Sequence, residues 1–149
     1  MKIVIQRVRH ARVIVQEQAI ASIPKGLMVL VGIKEGDTEK QARWLIKKLL
    51  KMRIFEDEQG KMNESVTDQK GALLLVPNFT LYANAAKGNR PSYIAAEKPG
   101  KARKLFEKML VLLQQQTELQ LASGQFGANM QVELCNDGPV TIVLERNPQ

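Results

Sequence analysis

The chain opens with apolar Ile3, Ile5 and Val8 set against polar Lys2, Gln6 and Arg9. A period of two places successive side chains on opposite faces, so this stretch predicts a strand with one buried face. Ala11 to Gln16 and Ala19 to Ile23 predict two more short strands, split by the polar Gln16-Glu17-Gln18. Pro24-Lys25-Gly26 predicts a turn. Leu27 to Ile33 is a continuous apolar run, the pattern of a strand buried on both faces, and Gly36-Asp37 ends that section. The period then changes. Ala42, Leu45, Ile46 and Leu49 recur at helical spacing, and Thr38 and Gln41 stand at capping-box spacing, which predicts a helix from about Thr38 to Met52. Arg43, Lys47, Lys48 and Lys51 fall mostly on its other side; a solvated face is the default for such charges, an RNA-contacting face the sharper alternative.

Arg53 to Glu56 predicts a short strand, followed by a polar stretch, Asp57 to Ser65, with a turn near Gly60. Gly71 to Val76 is another apolar run, and Phe79 to Tyr82 is expected to continue it after a kink at Pro77. Ala83 to Pro91 is a loop. A second helix is expected from about Pro99 to Gln116, with proline at the first helical position, where its missing N–H costs nothing, and Leu105, Phe106, Met109, Leu112 and Leu113 as its buried stripe. Met130 to Cys135 and Val140 to Glu145 are expected to close the chain as two strands around Asn136-Asp137-Gly138-Pro139. Strands in runs with two helices predict an α+β fold: a largely antiparallel or mixed sheet curling into a barrel-like core, in a single domain spanning residues 1–149.

Composition narrows the chemistry. The chain has 149 residues, 44% hydrophobic and 25% charged, an ordinary globular balance. Its longest apolar runs fall far short of a membrane span, and Met1 leads directly into a strand pattern, so the expectation is a cytoplasmic protein with no signal peptide. An excess of 22 Lys and Arg over 15 Asp and Glu gives a net charge of +7, which makes nucleic acid a reasonable partner. One cysteine, Cys135, excludes an internal disulfide and is expected to be a buried inert thiol. One histidine, His10, excludes a metal site built from histidines and is expected to be exposed and non-catalytic. Glu56, Asp57 and Glu58 read as a solvated acidic loop rather than an acid/base pair. No phosphate-binding loop or dinucleotide fingerprint is present, and no cofactor or metal is expected. An enzyme with these residues works with backbone groups, hydroxyls and amides, which suffices only for a substrate that is already reactive. An aminoacyl-tRNA ester, activated by its α-ammonium and next to a ribose hydroxyl, is such a substrate.

Several segments in order resemble the D-aminoacyl-tRNA deacylase family, also called D-tyrosyl-tRNA deacylase. They are Ile5-Gln6-Arg7-Val8, Gly26 to Gly32, Arg53-Ile54-Phe55 with Gly60 to Asn63, Asn78-Phe79-Thr80-Leu81, Lys87 to Ser92, Gly124 to Met130, and Asn136 to Thr141. The last carries the family's Asn-x-Gly-Pro-Val-Thr motif intact, as Asn136, Gly138, Pro139, Val140 and Thr141. Without the resemblance, Asp137-Gly138-Pro139 reads as a hairpin turn. The resemblance implies a cis Gly138–Pro139 bond, supported by Arg7 and reaching into the active site of the partner subunit in a homodimer. There, backbone carbonyls of Gly138 and Pro139 would collide with an L side chain, while a D side chain or glycine would pass. The second family motif, Ser-Gln-Phe-Thr-Leu, stands here as Pro77-Asn78-Phe79-Thr80-Leu81. Proline at 77 removes a hydroxyl and a backbone donor, and asparagine at 78 shortens the amide arm. The backbone N–H groups of Phe79 and Thr80 are left to hold the developing oxyanion. Thr80 sits where the family's nucleophile is placed, but no base accompanies it in the sequence. Orientation by Thr80 and attack by water, assisted by the ribose hydroxyl, is the preferred reading. Lys87 and Arg90 are the expected contacts to the tRNA end. The resemblance thus implies hydrolysis of D-aminoacyl-tRNA and of mischarged glycyl-tRNA, a proofreading step in translation. The alternatives are a tRNA-binding relative with weakened catalysis, suggested by positions 77 and 78, and an editing esterase for another mischarged aminoacyl-tRNA.

Overall fold

A computed structural model describes residues 1–149. In chain order it contains β1 (Lys2–Val15), β2 (Gln18–Ile23), β3 (Gly26–Gly32), α1 (Glu39–Lys51), β4 (Phe55–Glu56), β5 (Met62–Glu64), β6 (Ala72–Pro77), a 3-10 turn (Phe79–Tyr82), α2 (Pro99–Gln116), β7 (Leu121–Ser123) and β8 (Gln131–Glu145). The fold is α+β: a mixed six-stranded sheet, nearly closed into a barrel, with both helices on one face. Both helices fall within a residue of their expected bounds. The Thr38 N–H donates to Gln41 Oε1 at 2.8 Å, and Thr38 Oγ1 accepts from the Lys40 N–H at 3.3 Å, which satisfies donors that the first turn leaves free.

The strands depart from expectation in three places. The two strands expected over Lys2–Arg9 and Ala11–Gln16 are one, β1. It pairs antiparallel with β3 over Lys2–Val8 and with β2 over Ala11–Val15, so β2 and β3 lie end to end along the same side of β1. A one-residue irregularity at Arg9 reverses which side chains face inward: Ile3 and Ile5 pack under the helices, whereas Ala11 and Val13 pack on the opposite face with Val8. The sequence shows that reversal as a break in the alternation, which mimics a strand end.

The hairpin expected at Asn136–Pro139 does not form. Residues 131–145 are one strand, β8, antiparallel to β1 along its whole length. Gln6 faces Thr141 and Val8 faces Asn136, so Asp137 to Val140 bulge opposite Arg7 alone. The bulge also switches faces: Val132 and Leu134 pack with the smaller apolar cluster, and Val140, Ile142 and Leu144 with the helix-covered one.

Phe79–Tyr82 is a 3-10 turn and not a strand. The β6 ladder ends with the Asn78 N–H donating to Val31 O at 2.8 Å, and the chain then coils so that Tyr82 is buried while Phe79 and Thr80 stay exposed. The short strands β5 and β7 were not anticipated; each is three residues long, below the length at which alternation is readable.

β3, β6 and β7 run parallel, and their two crossovers carry α1 and α2. Leu27, Val29, Val31, Leu73 and Leu75 belong to the helix-side core, and Met28, Ala72, Leu74 and Val76 to the other. That two-sided burial is why both runs are continuously apolar. No helix is long and apolar enough to cross a membrane.

Candidate active site

A cavity of about 950 Å³ opens where the carboxyl ends of β3 and β6 meet the amino end of α2. Open sheets with parallel strands place clefts at such carboxyl ends. Asn78, Phe79 and Thr80 line it, together with Tyr93, Glu97, Lys98, Phe126 and Met130. The Phe79 and Tyr93 rings meet edge to face, 5.1 Å between centroids, at the mouth. Phe79 is 58% exposed and neighbouring Ile94 87%, so the rim is apolar and uncovered in one chain.

Two features hold the 3-10 turn in this wall. Below it, Gly32 lies so close that an added Cβ would stand 2.9 Å from the Leu81 Cβ and 3.3 Å from the Asn78 carbonyl oxygen. Beside it, Lys2 Nζ donates to the Leu81 carbonyl at 3.4 Å and sits 4.9 Å from the Tyr82 ring centroid, while the Tyr82 hydroxyl donates to Glu145 at 3.2 Å. Burial first, and then the charge of Glu145, push the Tyr82 phenol far above its ordinary pKa, so it remains a donor.

The turn's chemistry is that of amides and one hydroxyl. Phe79 and Thr80 begin it, so their N–H groups have no acceptor within it. Thr80 Oγ1 donates to Asn78 Oδ1 at 2.5 Å, which spends the hydroxyl proton and leaves the oxygen as an acceptor. An amide oxygen does not take up a proton at neutral pH, so this pair does not make Thr80 a nucleophile. Glu97, across the cavity, receives N–H bonds from Lys98 at 2.8 Å and Gly36 at 3.2 Å. These bonds, the Lys98 one first, hold its carboxyl below the usual range, so it stays ionised and is a poor general base.

The second set of expected residues is assembled elsewhere. The Val140 N–H donates to Asn136 Oδ1 at 2.8 Å, and Asn136 Nδ2 donates to the Val140 carbonyl at 3.2 Å and to Thr141 Oγ1 at 3.1 Å, tying the two ends of the bulge together. Buried Arg7 supports it from β1, donating from Nε to the Asp137 carbonyl at 3.0 Å and from Nη1 to the Ile54 carbonyl at 2.8 Å. The Gly138–Pro139 peptide is cis. Gly138 has φ +136°, and a Cβ there would approach Val140 Cγ2 to 2.8 Å, so only glycine fits. Gly138 and Pro139 are exposed and line no part of their own chain's cavity. Arg7, Asn136, Val140 and Thr141 are thus brought together with Gly138 and Pro139, but apart from Asn78, Phe79 and Thr80.

Lys87 and Arg90 sit on an exposed loop closed by the reciprocal Asn84–Ser92 backbone pair, outside the cavity lining. His10 is exposed and faces Cys135 in the β1–β8 ladder, with no hydrogen bond between them; Cys135 is half-buried rather than fully buried as expected. The Asp57 carboxylate is used locally, accepting from the Gln59 and Lys61 N–H groups and from Asn63, which makes it a turn-former. Glu97, Lys98, Tyr93 and Tyr82 were not singled out from the sequence; the apolar Tyr93-Ile94 pair inside a polar loop was the available signal for one of them.

Comparison with known proteins gives three results. The family model described as D-Tyr-tRNA(Tyr) deacylase matches residues 4–145. Over 145 residues the chain is 46% identical to the D-aminoacyl-tRNA deacylase of Chloroherpeton thalassium (97% of this chain, 95% of that one), and 49% identical to that of Flavobacterium johnsoniae (97% of each). Among solved structures, one titled c-Myc DNA Unwinding Element Binding Protein superposes with a TM-score of 0.94 at 40% identity, covering 99% of both chains.

Proposed function

The chain belongs to the D-Tyr-tRNA(Tyr) deacylase family, and from that premise we propose that it hydrolyses the ester joining a D-amino acid, or glycine, to the 3′ end of tRNA while rejecting L-aminoacyl-tRNA. It is a hydrolase of aminoacyl-tRNA esters. In this reading the ester lies against the 3-10 turn, and the Phe79 and Thr80 N–H groups receive the oxyanion. Preorganised donors of this kind are worth about 3 kcal/mol of barrier each. Thr80 Oγ1 accepts a hydrogen bond from the substrate, and water attacks with help from the neighbouring ribose hydroxyl.

Chiral rejection comes from the bulge of a second protomer. Its Gly138 and Pro139 carbonyls enter the cavity and occupy the space an L side chain would need. The observation carrying this reading is that the bulge and the cavity are each fully built, yet lie apart in one chain. An exposed, rigidly bonded loop and an open cavity with an apolar rim are complementary halves of one site, which a two-fold dimer joins twice.

The test is paired deacylation of D- and L-tyrosyl-tRNA, with light scattering to give the assembly mass. Release of D-tyrosine with little action on the L ester, by a particle of two chains, is expected. Equal rates on both enantiomers, or an active single chain, would defeat the proposal. A second reading, a tRNA-binding relative with weakened catalysis, draws on Pro77 and on the Asn78 amide oxygen being spent on Thr80. It predicts near-zero turnover that rises strongly when Pro77→Ser and Asn78→Gln are combined. The editing-esterase alternative predicts faster release from L-seryl- than D-seryl-tRNA.

A further inference from the structure

The cavity accounts for the terminal aminoacyl-adenosine end of a tRNA but not for the rest of it. Lys98, at the N-cap of α2, lines the cavity, and from there the helix carries Lys101, Lys104 and Lys108, all exposed. At about 100° per residue, these last three fall within an arc of about 60°, and Lys98 to Lys108 spans about 15 Å along the axis. Lys101 and Lys104 make no ion pair; Lys108 is 3.6 Å from Glu39, which Arg43 also engages. Glu107 is the one acidic residue of α2. Glu97, next to Lys98 in sequence, is spent on the Gly36 and Lys98 backbone N–H groups. The opposite side of the helix is ordinary core: Ala102, Phe106, Met109 and Leu113 are buried.

We propose that this lysine stripe is the track along which the phosphates of the acceptor arm of the substrate tRNA lie as the arm leaves the cavity. The assignment rests on the deacylase reading for the identity of the nucleic acid. Ammonium groups on flexible stems suit a phosphate backbone read without regard to sequence, which is what an enzyme clearing many tRNAs needs. The stripe begins at the cavity wall, so the same helix that closes one side of the site carries the strand away from it. Lys87 and Arg90 stand on a separate loop and are not required for this path.

The experiment measures binding of uncharged tRNA by fluorescence anisotropy as a function of salt, alongside deacylation of D-tyrosyl-tRNA. Lys101→Gln, Lys104→Gln and Lys108→Gln are combined in one variant. Lys47→Gln, Lys48→Gln and Lys51→Gln on the exposed side of α1 form a control with the same charge change. Each phosphate contact contributes about 0.7–0.9 to the slope of log K against log salt. The α2 variant is therefore expected to bind at least about tenfold more weakly near 0.1 M salt and to lose about 2 units of slope. The α1 variant keeps the wild-type slope. Equal effects of the two variants, or no effect of the α2 one, would overturn the stripe. Salt-dependent binding lost in the α2 variant, with no D-tyrosine released even by the wild type, leaves the stripe standing and fails the deacylase reading. Wild-type turnover, with unchanged binding by the α2 variant, does the reverse.

Discussion

Replacing Arg7 with methionine isolates the support of the bulge. Arg7 is 6% exposed, so its guanidinium has left water almost completely. Its return comes from two carbonyls, Asp137 O at 3.0 Å and Ile54 O at 2.8 Å, and from the Asp137 carboxylate at 3.9 Å. The carboxylate is 34% exposed and can turn to solvent, so its loss costs little. The Ile54 bond is buried and the Asp137 carbonyl bond part-buried. An orphaned buried polar group costs about 1–3 kcal/mol and one that water can reach costs less, so the two together amount to about 2–4 kcal/mol. Relief of the buried cation's desolvation and the packing of the methionine stem offset part of this. A net loss of about 1–3 kcal/mol is expected, read as a fall in the urea midpoint with unchanged m-value. Arg7→Lys reaches one carbonyl and recovers about half. A loss under about 0.5 kcal/mol for methionine, the range of an ordinary surface substitution, would show that Asn136 alone holds the bulge and that the Arg7 bonds are incidental.

Gly32→Ala drives a methyl group against the Leu81 Cβ at 2.9 Å. The 3-10 turn must shift, and the expected result is a stability loss of about 1–3 kcal/mol with kcat/KM on D-tyrosyl-tRNA down by at least about tenfold; full activity would show that the turn does not set the geometry. Thr80→Val removes a hydroxyl but keeps the backbone N–H, so kcat/KM should fall by about 5- to 30-fold, the worth of one hydrogen bond. A fall of about a thousandfold or more would restore Thr80 as nucleophile. Gly138→Ala, forced to adopt φ +136° with Val140 Cγ2 at 2.8 Å, should lower the thermal midpoint by several degrees, and circular dichroism melting checks it. Asp57, Asp68 and Glu97 all titrate below their ordinary values, chiefly through backbone N–H bonds from Lys61, Ser65 and Lys98 respectively. A depressed folded pKa contributes stability above the unfolded value, so the urea midpoint should fall as pH drops below about 4. It should fall less steeply in Asp57→Asn, and an unaltered slope there would remove Asp57 from the account.

Local pattern determined much of this protein. Both helices were legible because their periodicity, cap and N1 proline are properties of neighbours in sequence. The two-sided burial of β3 and β6 was legible because it leaves no polar position in Leu27–Ile33 or Ala72–Val76. The residues of both motifs could be named from the chain alone. What Asn136-Asp137-Gly138-Pro139 would become could not. The same turn-forming residues make a hairpin if the flanking strands pair with each other, and a bulge if both pair with a third. β1 is the third, and the choice lies more than 120 residues away, where Arg7 supplies the donors that hold the bulge. Likewise, nothing within Phe79–Tyr82 forbids a strand. Lys2 and Glu145 bond its far end from the two termini of the chain, and Gly32 lets it lie close over β3. Tertiary structure alone also decided that one chain keeps its bulge away from its own cavity, because the position of a strand edge depends on which strands have already taken the neighbouring places.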